Sequence, residues 1–338
     1  MRITLRRLIL LTLALPTFLV AQDIPIEIEA TEVLFCQPGV TNASPSRGLV
    51  LEYAIRPGVT MSRIGDFAGQ EDVQARYWED RVLKVKVPVV NRTDFKIILG
   101  MNHTEETYHF DPLDIAGDPF LESLNEQTLK STRFTGYAVK SLNQRYYALA
   151  RLEVGYNGDF DKFVRVDDQY EMFRAALLVG RKWSEDFEVG AGLLYTNTFR
   201  RTSVWPFVFA NYTLSPKWGI EAVVPVDLKV RYDWTPKRLL LMGFDYFSRE
   251  HSVDFRLAND ADPTNVFLRR HFLGPTITIQ QQVFSEWTWV DFQAGYTLDL
   301  NTRVRNDGET IDETINMGSA PYFRVSFFVS PPRKVICK

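Results

Sequence analysis

The stretch Val226-Asp227-Leu228-Lys229-Val230-Arg231-Tyr232-Asp233-Trp234 is apolar at every second residue. Side chains alternate across a β-strand, so Val226, Leu228, Val230, Tyr232 and Trp234 share one face while Asp227, Lys229, Arg231 and Asp233 share the other. A helix would mix the two sets around its circumference. The same ribbon, greasy on one side and charged on the other, recurs about a dozen times along the chain.

What precedes these ribbons is an export signal. Arg2, Arg6 and Arg7 form a basic start, Leu8 to Leu19 an apolar core, and Leu19-Val20-Ala21 a small-residue cleavage context, so cutting near Ala21 is expected. No cysteine stands at the cut to carry a lipid anchor. Downstream, nothing reaches the ~18 uninterrupted apolar residues of a membrane helix. Yet the chain is 45% hydrophobic and holds 24 Phe, 14 Tyr and 7 Trp. A membrane protein built without helices must close a sheet on itself, because lipid cannot satisfy open backbone groups. The expected fold is therefore all-β: an antiparallel transmembrane β-barrel in the bacterial outer membrane.

Alternation predicts strands over 49–56, 81–90, 95–101, 130–141, 145–157, 169–181, 186–197, 203–213, 217–224, 226–233, 237–249, 267–281, 287–303 and 319–329. That makes about 14, with 12 or 16 as alternatives. Short turns at 91–94, 142–144, 182–185, 215–217, 234–237 and 284–286 take turns with longer polar stretches at 59–80, 104–129, 158–168, 250–266 and 304–318. Short periplasmic turns and longer external loops give this rhythm. Brief links near 200–201 and 224–225 are the exceptions. Trp205, Trp218, Tyr232, Trp234 and Tyr296 stand towards strand ends, where an interfacial girdle belongs. The chain divides into a signal peptide (1–21), an irregular periplasmic segment or plug (22–47), the barrel (48–330) and a periplasmic tail (331–338).

With the apolar face towards lipid, the charged face lines the lumen. It gathers Glu52, Arg56, Lys84, Lys86, Lys96, Arg151, Glu153, Arg174, Glu188, Glu221, Asp227, Lys229, Arg231, Asp291 and Arg324. These charges either pair across neighbouring strands to hold the wall together or form a wet, solute-selecting pore. Their signs nearly balance, so no cation or anion preference follows. Removing residues 1–21 takes away three arginines and no acid, leaving 36 basic and 42 acidic residues and a net charge near −6. That balance excludes a nucleic-acid partner. The expected partners are outer-membrane lipid, a small-molecule solute and, during biogenesis, the barrel-assembly machinery; a monomer is expected. Cys36 and Cys337 are candidates for a disulfide, since an even strand count returns both to the periplasm; two unpaired thiols are the alternative.

Catalysis would need a nucleophile with a base in reach. The four histidines are His103, His109, His251 and His271. His103 and His109 fall in Asn102-His103-Thr104-Glu105-Glu106-Thr107-Tyr108-His109, read as the start of a long loop. With Glu105 and Glu106 they offer metal ligands, at a spacing that matches no recognised site. His251 is placed in an external loop and His271 on a strand near the rim. No Ser/His/acid signature emerges, and neither catalytic residue, metal nor cofactor is expected.

The Ala21-Gln22 junction, the strand Pro225–Asp233 after Trp-Gly-Ile-Glu-Ala-Val-Val (218–224), and the aromatic last strand Pro321–Val329 together resemble an uncharacterised, porin-like outer-membrane β-barrel family of Gram-negative bacteria, a domain of unknown function. The resemblance covers nearly everything after residue 40 and implies no substrate or catalytic residue. The tail after Val329 departs from it: such barrels end on a terminal aromatic, whereas here Phe328 lies ten residues from the end. The leading expectation is passive transport or binding of small molecules through the mixed-charge lumen. One alternative is a closed structural or surface-interaction barrel working through loops 59–80, 104–129 and 250–266. A second is an outer-membrane lipid-modifying enzyme using a loop histidine.

Overall fold

The computed structural model describes residues 38–64, 68–199, 201–256, 263–306 and 311–332. The expected signal peptide, residues 22–37, both cysteines and residues 333–338 lie outside the described residues. Phe35–Lys338 form one compact unit.

Fourteen strands make its wall. They are β1 (Leu49–Pro57), β3 (Val73–Asn91), β4 (Phe95–Phe110), β5 (Thr128–Ser141), β6 (Tyr146–Gly158), β7 (Glu171–Ser184) and β8 (Phe187–Thr198). They continue as β9 (Arg201–Thr213), β10 (Trp218–Val224), β11 (Asp227–Thr235), β12 (Arg238–Phe255), β13 (Thr264–Gln282), β14 (Thr288–Asn306) and β16 (Ala320–Val329). Two short pieces, β2 (Thr60–Met61) and β15 (Asp312–Ile315), add to β3 and β14 at one rim. Each wall strand pairs antiparallel with the next, and β1 pairs with both β3 and β16, from Leu49↔Val329 to Ile55↔Phe323. The barrel is therefore closed, which removes the free edges that lipid could not solvate.

The apolar face points outward. Leu51, Leu177, Leu193, Leu228, Phe292 and Phe323 are among its exposed residues, with Leu177 at 59%. No helix among the described residues is long and apolar enough to cross a membrane; the strands make the crossing. At ~3.3 Å per residue, the nine residues of β11 run ~30 Å, or ~23 Å along the normal at a tilt of ~40°, close to the usual apolar belt. Near the short turns Trp218 and Tyr232 bring their rings to 4.7 Å, and Trp234 is exposed beside them. The opening stretch itself needs one correction: Pro225 and Val226 form the turn between β10 and β11, and the strand begins at Asp227.

Three of the expected loops are largely something else. β3 begins eight residues earlier than predicted, β4 continues to Phe110, and β12 to Phe255. The reason is an inversion of phase. Low on β4, Leu99 faces outward; above Glu106 it is Tyr108 and Phe110 that are buried inside, while Thr107 and His109 face out. Val253 and Phe255 on β12, and Val266 and Leu268 on β13, do the same. Above the lipid belt the barrel is built like a water-soluble one, with its apolar residues inward.

A helix, α1 (Pro119–Glu126), lies within the expected loop 104–129. Asp118 caps it by accepting a 3.2 Å hydrogen bond from the Leu121 amide, and Pro119 occupies the first turn, where its missing N–H costs nothing. Its buried residues Phe120, Leu121 and Leu124 join Trp78, Tyr108, Phe110, Phe255 and Met317 in one apolar cluster at the long-loop mouth. Phe120 meets Phe255 edge-on at 5.3 Å.

Candidate functional site in the barrel lumen

At the short-turn mouth, residues 38–47 run across the lumen as a strap. The Gly39 amide donates to Glu188 Oε2 (2.9 Å), and Thr41 donates its amide to Glu185 O (2.8 Å). The Ser44 amide donates to Glu221 Oε1 (2.8 Å), and Arg47 Nη2 to Asp291 Oδ2 (2.5 Å). Lys182, fully buried, donates to Gly39 O (2.8 Å). β7, β8, β10 and β14 thus all hold it.

At the opposite end, under the apolar cluster, sits a buried ion network. Arg56 Nη1 donates to Asp80 Oδ2 (2.7 Å) and stacks over the Trp78 ring at 3.9 Å. Arg249 donates to both Asp80 oxygens (2.6 and 2.8 Å) and to Glu106 Oε2 (2.5 Å). Glu106 also binds Arg270, which contacts Tyr108 and donates towards His251 Nδ1 at 3.1 Å. Burial of this many charges is tolerable only because each has a partner.

Between strap and network lies a chamber of about 480 Å³, lined by residues from both and by the wall. The structure places the sequence-derived lumen residues in four groups around it. Glu52 lies 3.7 Å from both Lys84 and Arg324, and Arg324 reaches Asp291 at 3.9 Å. Arg56 belongs to the network above. Arg231 donates to Glu221 (2.8 Å) and Asp233 (3.2 Å), while Lys229 bridges Asp227 (3.0 Å) and Asp245 (2.8 Å). Glu153 gathers Arg151, Arg174 (3.4 Å) and Arg133 (4.0 Å). Lys86 stands nearer the short-turn rim, 5.3 Å above the Tyr137 ring.

Asp80, Glu106 and Tyr108 escaped the sequence reading because β3 was begun too late and β4 ended too early, whereas Arg249 and Arg270 lay inside expected strands but were not singled out. The signal was there: Trp78, Asp80 and Val82, then Glu106, Tyr108 and Phe110, keep period two straight through the inversion of phase. The histidines need correcting too. His103 and His109 are on β4, not in a loop, and His251 is on β12, buried beside Arg270. His103 bonds Thr132 Oγ1 (2.7 Å) and stacks on Phe163, and the His109 ring lies tilted against Tyr77 at 4.3 Å. Glu106 points into the lumen, away from Glu105 and both of these histidines, because alternate residues take opposite faces. His271 bonds Tyr246 OH (2.8 Å) on β12.

No curated protein matches the chain. Among solved structures it is similar to the toluene transporter TodX of Pseudomonas putida (8% identity, 84% of this chain and 90% of that one, TM-score 0.37). It is also similar to a FadL homologue of Pseudomonas aeruginosa (10%, 83% and 89%, 0.37) and to an outer membrane channel from Pseudomonas putida F1 (10%, 85% and 97%, 0.39). Residues 113–255, from the approach to α1 through the end of β12, match the family described as Domain of unknown function (DUF6268).

Proposed function

We propose that the chain is a bacterial outer-membrane barrel that takes small molecules into its lumen, for passive transport or binding. The short-turn rim is then periplasmic and the long-loop rim external. The observation that carries this reading is the chamber of about 480 Å³, large enough for a small organic molecule and walled by charged side chains. In domain terms, 48–330 is the barrel, 22–47 a periplasmic N-terminal segment or plug to which the strap 38–47 belongs, and 331–338 a periplasmic tail. The strap is tied by individual hydrogen bonds worth ~1 kcal/mol each, or a few kcal/mol where charge-assisted, so displacement needs no unfolding of the wall. The reading is non-catalytic.

The test is planar-bilayer conductance of the purified chain beside a variant lacking 22–47. Openings that grow in number or size without the strap support passage; silence from both forms sinks it. The second reading, a closed barrel acting through its external surface, is favoured by the apolar cluster around α1, which fills the external mouth with Trp78, Tyr108, Phe120 and Phe255. Silence in the bilayer from a barrel that keeps its heat-modifiable gel shift would support that alternative.

A further inference from the structure

Arg133 on β5, Arg151 on β6 and Arg174 on β7 project from three successive strands into the same side of the lumen, and Arg133 and Arg174 line the chamber. Among the described residues, Glu153 is the one carboxylate within ion-pair distance of any of them. Its oxygens are already engaged: Oε2 takes Arg151 and the Thr135 hydroxyl (3.2 Å), and Oε1 takes Arg174 (3.4 Å). Arg133 stays 4.0 Å from Oε1, and its buried Nε has no hydrogen-bond partner; nor has Arg151 Nε. The chamber's other acids are held elsewhere, Glu52 near Lys84, Glu106 by Arg249, Glu221 by Arg231, and Asp227 and Asp245 by Lys229. Glu250, the next carboxylate felt by Arg174, is paired with Arg269, so three guanidiniums share the one carboxylate within ion-pair distance.

The wall is shaped to keep this arrangement. Gly155 stands directly opposite Arg133 in the β5–β6 register, and a Cβ there would lie 2.8 Å from Arg133 Cγ. Surplus positive charge in a half-buried chamber is costly unless an anion accompanies it. Guanidinium forks match the geometry of planar and tetrahedral oxyanions.

We propose that Arg133, Arg151 and Arg174 form an oxyanion-binding site inside the barrel, accepting the carboxylate, phosphate or sulfate group of a small solute. The proposal rests on the reading that the lumen takes small molecules, and it names their chemical class. Glu153 is then the occupant that orders the arginines and limits affinity.

Isothermal titration of the full chain in detergent, with inorganic phosphate, sulfate and acetate against a choline chloride background, tests it. Saturable binding of at least one anion is expected, and the ranking among the three identifies the head group. Arg133→Gln and Arg174→Gln should each weaken binding about tenfold. Glu153→Gln should instead strengthen it several-fold, a gain that a merely damaged fold would not give. No saturable binding of any anion, or affinities indifferent to all three substitutions, overturns the site. Liposome uptake separates this from the broader reading. Entry of neutral sugars without anion binding defeats the oxyanion site alone, whereas anion binding without uptake of any solute supports the site and defeats passage.

Discussion

Gly158 at the end of β6 pairs in parallel with Ser252 on β12, although five strands, β7–β11, separate the two along the wall. The taller strands lean together above their shorter neighbours: β10 and β11 have 7 and 9 residues, β13 and β14 have 19 each. Asn157 Nδ2 donates to Glu250 O (2.9 Å), and the Asp254 amide to Asp159 Oδ2 (2.8 Å), fastening the same junction. The long-loop mouth is thus narrowed by the wall itself, with α1 and the apolar cluster filling what remains.

That junction depends on the absence of a side chain at 158. A Cβ would fall 2.6 Å from Ser252 O and collide with the Tyr170 ring. Gly158→Val is expected to cost about 1–3 kcal/mol and to splay β6 from β12. Protease added to the outside of intact cells should then cut near the end of β12 while the membrane belt stays protected. Unchanged resistance would show that the junction does not hold the mouth.

Leu177, halfway along β7 and 59% exposed, should face hydrocarbon. Leu177→Arg is expected to destabilise the barrel by about 2–4 kcal/mol. Leu113, 87% exposed on the long-loop rim, should accept Arg within about 0.5 kcal/mol. Urea unfolding in lipid vesicles measures both. Equal, small effects would mean that the wall around Leu177 faces water.

Asp80 is the hinge of the buried network, because among the described residues it is the one carboxylate bonded to both Arg56 and Arg249. Asp80→Ala leaves Arg56 without a carboxylate and Arg249 with Glu106 alone, and should cost about 3–5 kcal/mol, seen as a lower temperature for loss of the compact gel band. Adding Arg56→Met should recover part of that loss, since the pair removed together leaves less uncompensated charge. A double variant no better than the single would place the cost elsewhere.

Asp159, in the loop after β6 and beyond the belt, has its carboxyl raised above the usual range, chiefly by burial. Its folded form therefore holds a proton more tightly than the unfolded chain does. The resulting stability is fully present below the unfolded value near 4 and is lost as pH rises through the folded one. Asp159→Asn fixes the neutral state and should flatten the fall in unfolding midpoint across that window. An identical slope in both proteins would remove Asp159 from the account.

The sequence was most legible where one physical demand acted alone. On β11, Leu228, Val230 and Tyr232 had only to meet lipid, and alternation with Asp227, Lys229 and Arg231 exposed the strand at once. It was least legible on β4 and β12. There the outward face turns from lipid to water partway up, so Tyr108, Phe110, Val253 and Phe255 take the side that Lys96 and Asp245 hold below. A period-two pattern that changes phase looks like a loop until the strand is seen. α1 was missed for a related reason: eight residues with Asp118-Pro119 at their start make a weak helical signal inside a polar stretch.

What the sequence by itself determined is the wall: strand number, alternation of short and long connections, and which face is charged. These follow from local chemistry repeated strand by strand, with the period of two read directly from neighbouring residues. Only the tertiary structure decided what fills the wall. The register of β5, β6 and β7 sets one carboxylate among Arg133, Arg151 and Arg174, and the strap reaching from Gly39 to Glu188 and the pairing of Asp80 with Arg249 depend on which inward side chains meet across the lumen. No periodicity encodes those meetings, because barrel closure, strand height and the lean of β6 towards β12 bring together residues more than a hundred positions apart in the chain.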